Sequence, residues 1–87
     1  SFNCSTARRS VEKAICANPE LADLDREVHA SYARPIREDL SPSKARTLRR
    51  EQEEFLARRN ASFGRPGYDL HKAMRERLQR LNGIDGY

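Results

Sequence analysis

The chain has 87 residues, 37% hydrophobic and 34% charged, with a formal net charge of +4. Such a chain makes one domain with a small core, and its length excludes large catalytic folds such as barrels and dinucleotide-binding sheets. No apolar run approaches the ~20 residues of a membrane span, and 4 glycines and 4 prolines are too few for a fibrous or low-complexity chain.

The first 40 residues hold 6 basic and 7 acidic groups, and residues 41–87 hold 11 and 6. A basic half suits an anionic partner: nucleic acid, anionic lipid or an acidic cleft. The plainer account is opposite charges interleaved on solvated helix faces, as in Arg50–Glu54 and Glu54–Arg58 at i,i+4 spacing.

In chain order, Cys4 and Cys16 come first. An even count in a short chain fits one structural disulfide. The two histidines, His29 and His71, lie too far along the chain to complete a zinc site with them. A disulfide implies an oxidising compartment, hence a secreted or periplasmic protein. The start at Ser1, just upstream of Cys4, fits a mature, processed form.

Ser10 is the expected N-cap of a short helix, Val11 to about Ala17. Asn18-Pro19 restarts the chain, with Leu21, Leu24, Val28, Tyr32, Ile36 and Leu40 along one face. Pro35 predicts a kink or break near Arg34. Ser41-Pro42 opens the next helix, with Ala45, Leu48, Gln52, Phe55, Leu56 and Arg59 on its stripe and an end near Asn60. Residues 61–67 form a loop punctuated by Gly64, Pro66 and Gly67. The last helix is expected from about Tyr68 to Leu81, with Leu70, Ala73, Met74, Leu78 and Leu81 facing inward. Asn82-Gly83 should stop it, leaving 83–87 as a tail and 1–82 as a single domain. The fold class is all-α: a small bundle, with a short disulfide-tethered N-terminal helix before about three longer ones.

Asp25, Gln52 and Arg59 are polar residues on apolar stripes. A half-buried charge needs a partner. The economical reading is an Asp25–Arg59 pair with Gln52 nearby, holding two helices in register; the other reading makes the trio a polar pocket. Asp25 and His29, at i,i+4, read as a surface contact rather than an acid–base pair. No nucleophile with a base, phosphate loop or metal-ligand cluster is present, so neither catalysis nor a cofactor is expected. Nucleic-acid binding is disfavoured, because Glu51, Glu53 and Glu54 follow directly on the basic 44–50 segment. In the loop, Phe63, Arg65 and Tyr68 are residue types enriched at binding hot spots. Equally, the two aromatics would serve to cap the bundle.

The pattern resembles the LprI-like family, the lysozyme-inhibitor-type domains of bacterial envelopes. Cys4, then Val11-Glu12-Lys13-Ala14-Ile15-Cys16 and Pro19-Glu20-Leu21-Ala22-Asp23-Leu24-Asp25, carry the resemblance. Gln52, Phe55-Leu56 and Arg59-Asn60 look like its Gln-x-x-Trp-Leu-x-x-Arg-Asp segment, and Arg77 and Leu81 like its closing Arg-x-x-x-Leu. The chain departs from that family in two places. Phe55 stands where Trp is usual, and the second cysteine pair is missing around Asn60-Ala61-Ser62-Phe63 and Tyr68-Asp69-Leu70. The resemblance implies a non-catalytic secreted or periplasmic domain that binds another protein, with lysozyme the leading named partner. Arg65 on the Gly64–Gly67 turn is the group expected to reach a carboxylate-lined cleft. The alternatives are an accessory helical module of the envelope, or a binder of anionic polymer or lipid through the basic C-terminal half.

Overall fold

The computed structural model describes residues 2–38 and 40–84. A 3-10 turn at Cys4–Thr6 precedes α1 (Ser10–Ala17), α2 (Pro19–Glu38), α3 (Pro42–Ser62) and α4 (Leu70–Ile84). The chain is all-α, and there is no strand among the described residues.

Local chemistry sets most helix starts. The Asn18 side-chain oxygen accepts from the backbone N–H of Glu20 at 3.0 Å and of Leu21 at 3.3 Å, with Pro19 at the first position of α2. Ser41 caps α3 through its hydroxyl, which accepts from Lys44 N–H. Asp69 caps α4, its carboxylate accepting from Lys72 N–H at 3.0 Å. At α1 the expected cap moves by one residue. Ser10 is already helical and Arg9 is the cap. The Glu12 carboxylate reaches back to the N–H groups of Arg8 and Arg9, both at 3.4 Å, and so ties the chain ahead of α1 to its first turn.

Four other boundaries differ from the sequence reading. Pro35 neither breaks nor visibly ends α2, which runs unbroken through it to Glu38. It lies in the last turn, where it removes the N–H that would reach the Ser31 carbonyl, and its fully buried ring offsets that loss. Leu40 N–H then closes the helix on the Pro35 carbonyl at 3.0 Å. α3 continues past Asn60 to Ser62. α4 begins at Leu70 rather than Tyr68 and runs through Asn82-Gly83 to Ile84. Leu81, fully buried, anchors that end, and the Ser31 hydroxyl donates to Asn82 Oδ1 at 3.2 Å. Of the expected 83–87 tail, residues 85–87 lie outside the described residues.

The core has two apolar clusters. Val11, Ile15, Phe55, Leu70 and Met74 form one, with Leu21, Leu24, Leu56 and Phe2 packed against it. Val28, Leu48 and Leu81 form the other, joined by Tyr32, Ile36, Leu40 and Leu78. Both α2 and α4 pass from the first cluster to the second, and α3 passes back. The long helices therefore run up, down and up. Between the clusters lies a polar layer in which Arg77 Nε donates to Gln52 Oε1 at 2.9 Å.

Cys4 and Cys16 are bonded, with Cα atoms 5.8 Å apart. The bond ties the 3-10 turn to the last turn of α1 and keeps Phe2 against the first cluster. The backbone hydrogen bonds of residues 3–7 are all local, so the disulfide is the main tether of this segment. A loop with a sequence separation of 12 corresponds to about 3 kcal/mol. Cys4→Ser/Cys16→Ser should lower the thermal midpoint by about 10–20 °C. A calorimetric scan showing no change would remove the disulfide from the account of stability.

Candidate functional site

The polar residues and the loop meet at the C-terminal end of α3. Arg59, only 4% exposed, projects from the buried stripe of α3 because its position repeats the spacing of Leu48, Gln52 and Phe55. Its Nη1 lies 3.9 Å from Asp25 Oδ1 on α2. Its Nε and Nη2 donate to Asn60 Oδ1 at 3.2 and 3.0 Å. Burial pulls the Arg59 pKa below the ordinary arginine value, and Asp25, then Glu12 and Tyr68, oppose that shift. Gln52 lines the same cleft but does not complete this pair; its carbonyl is taken by Arg77. The cleft, about 320 Å³, lies between α2 and α3, with Phe2, His29 and Tyr32 also on its walls.

The loop leaves α3 through Phe63, whose N–H bonds to the Arg59 carbonyl at 3.0 Å. Gly64 and Gly67 have φ of +89° and +82°, the left-handed region that glycine enters without strain. Arg65 N–H bonds to the Ser62 carbonyl at 3.0 Å and Tyr68 N–H to the Arg65 carbonyl at 3.1 Å, folding the segment into a double turn. Phe63 and Tyr68 are half-buried against the first core cluster, while Arg65 is exposed. The three loop residues therefore do not present one surface: the aromatics hold the turn and Arg65 stands at its tip. Burial raises the Tyr68 pKa, with Arg59 lowering it and Asp69 raising it.

Two polar contacts escape a reading of apolar stripes. Asn60 is adjacent to Arg59 and looks like an ordinary end-of-helix residue. Arg77 falls between Met74 and Leu81 at helical spacing, and that spacing is the signal that would have placed it inside. Among the described residues no three His, Cys, Asp or Glu side chains are grouped to hold a metal ion. A buried Arg–Asp pair supplies charge and shape rather than a nucleophile.

Two predictions rest on this geometry. Arg59→Ala should cost about 3 kcal/mol, the size expected for splitting a largely buried ion pair, and a chemical denaturation midpoint that does not move would refute the pairing role. The raised Tyr68 pKa means the folded protein holds that proton more tightly than the unfolded chain. Its contribution is complete below pH ~10 and is lost as pH rises through the folded value. Stability should therefore fall above pH ~10, and Tyr68→Phe should flatten that slope in denaturation curves recorded at alkaline pH.

No helix of the described residues is long and apolar enough to cross a membrane. No curated protein and no solved structure matches the chain. A family model described as "Lysozyme inhibitor LprI" matches residues 3–82. That span runs from the tethered turn to the last turn of α4, and the chain belongs to the LprI lysozyme-inhibitor family.

Proposed function

We propose that the protein is a non-catalytic binding domain that works outside the cytoplasm, in the periplasm or as a secreted protein, and blocks a lysozyme-type muramidase. The family supports a protein partner of this class. The Cys4–Cys16 bond supports an oxidising compartment. The observation that carries the reading is Arg65, exposed at the tip of a turn already shaped by two left-handed glycines and two docked aromatics.

Lysozymes act through two carboxylates in a cleft. A guanidinium on a narrow, rigid projection is complementary to that pair in charge and in forked geometry. Little ordering accompanies docking, because the turn is set before contact. The net charge of +4 sets a preference among targets. Like charges slow encounter, so a neutral or acidic lysozyme suits this protein better than a strongly basic one.

A second reading follows from the exposed Lys44, Arg46, Arg49 and Arg50 at the start of α3, which suit an anionic envelope polymer or lipid. Salt separates the two: polymer binding should weaken steeply as salt rises, and a loop-centred protein contact should not.

The test is inhibition of several lysozyme types by the oxidised protein. Stoichiometric inhibition of at least one is expected, with Arg65→Ala reducing it by tenfold or more while stability stays within about 0.5 kcal/mol. Full inhibition by Arg65→Ala would refute the turn as the inhibitory element, and no inhibition of any type would refute the lysozyme target.

A further inference from the structure

A second cleft, of about 430 Å³, lies between α3 and α4. Its size falls in the range of small-ligand sites. Three guanidinium groups, Arg58, Arg77 and Arg80, line it together with Glu51, Glu54, Glu76 and the Phe55 ring.

Arg77 points to a ligand. It is 8% exposed, its Nε is bonded to Gln52, and its guanidinium carbon sits 5.8 Å from the centre of the Phe55 ring. Its Nη2 is buried and has no hydrogen-bond partner among the described residues. A buried, charged donor without an acceptor is costly, and native proteins leave few of them. Burial lowers the Arg77 pKa; Glu51 opposes this, and Arg80 and Arg58 reinforce it. Although three glutamates share the cleft, no ion pair joins any of them to a guanidinium among the described residues. Groups of both signs are therefore present side by side and not paired with one another.

A bare anion here would satisfy Arg77 and meet three carboxylates. A bare cation would satisfy the carboxylates and leave Arg77 as it is. A ligand carrying both signs a few bonds apart answers both. We propose that the α3–α4 cleft binds an amino-carboxylate, a free amino acid or a short peptide in zwitterionic form, with its carboxylate on Arg77 and its ammonium toward Glu51, Glu54 and Glu76. The fork of a guanidinium matches a carboxylate, and the Phe55 ring offers an apolar wall to a side chain. Nη2 is closed to solvent, so a carboxylate binding there displaces the side chains that cover it. This site is separate from the Arg65 turn and stands whether or not the protein inhibits a lysozyme.

The test is a titration of the whole, oxidised ¹⁵N-labelled protein, following the backbone amides of α3 and α4 and the Arg77 Nε–Hε signal. The probes are leucine, glycyl-leucine, glycyl-leucinamide and sodium acetate. Saturable shifts confined to the cleft are expected with leucine or glycyl-leucine, and the tighter of the two identifies a free amino acid or a peptide as the ligand class. Removing the carboxylate, in glycyl-leucinamide, should weaken binding by about tenfold or more. Arg77→Lys, which keeps the charge and loses the fork, should weaken it similarly. If that variant fails to fold, the amide comparison on the unaltered protein still decides. Absence of saturable shifts with both leucine and glycyl-leucine overturns the proposal. So does equal binding of the amide, or binding of acetate as tight as that of the zwitterions.

Discussion

A guanidinium can sit among leucines and methionines only if acceptors are buried with it. The Arg77–Gln52 hydrogen bond, 2.9 Å long and inside the core, meets that constraint for Nε, leaves Nη2 without an acceptor among the described residues, and joins α3 to α4. On α4, Leu70 and Met74 precede Arg77 and Leu78 and Leu81 follow it. On α3, Leu48 and Phe55 lie on either side of Gln52. The polar layer thus separates two apolar clusters, each too small to define the helix alignment unaided. Apolar burial supplies most of the stabilisation here, and the polar layer adds a directional contact between α3 and α4.

Much of this architecture is legible in the sequence because its signals are local. Asn18-Pro19 and Ser41-Pro42 announce helix starts through groups that lie within three residues of one another. The α3 stripe from Ala45 to Arg59 is buried as its periodicity indicates. Arg59 facing Asp25 was also readable, since a charge on an apolar stripe needs a counter-charge. What the sequence could not specify was which of two buried arginines Gln52 would serve. That choice depends on how far apart α2, α3 and α4 stand, a quantity no single helix encodes. Pro35 misleads for a different reason. Pro35 does remove one backbone hydrogen bond from α2, but its ring is fully buried, and that tertiary burial lets the helix run on to Glu38. Ser10 misleads because α1 starts one residue early, with Arg9 as the cap and Glu12 reaching back to the N–H groups of Arg8 and Arg9.

The structure divides its reinforcement unevenly. Covalent closure acts only at the N-terminal end, where Cys4–Cys16 holds a segment whose own hydrogen bonds are local. At the 63–69 loop, where the family's second cysteine pair is missing, the same work falls to non-covalent devices. Three backbone hydrogen bonds, two glycines at positive φ and two aromatic rings against the core fix the path of the chain. Arg59 takes part at both levels: its backbone carbonyl receives Phe63, and its side chain carries the charge that Tyr68 senses.

A turn held in this way has a consequence for the timing of recognition. Because residues 63–68 have their shape before any partner arrives, docking resembles the meeting of two rigid bodies. The association rate is then limited by orientation and long-range charge, and not by a search through loop conformations. For the proposed lysozyme-type partners, differences in affinity should consequently reside in how long each complex lasts once formed, with Arg65 as the proposed point of fit.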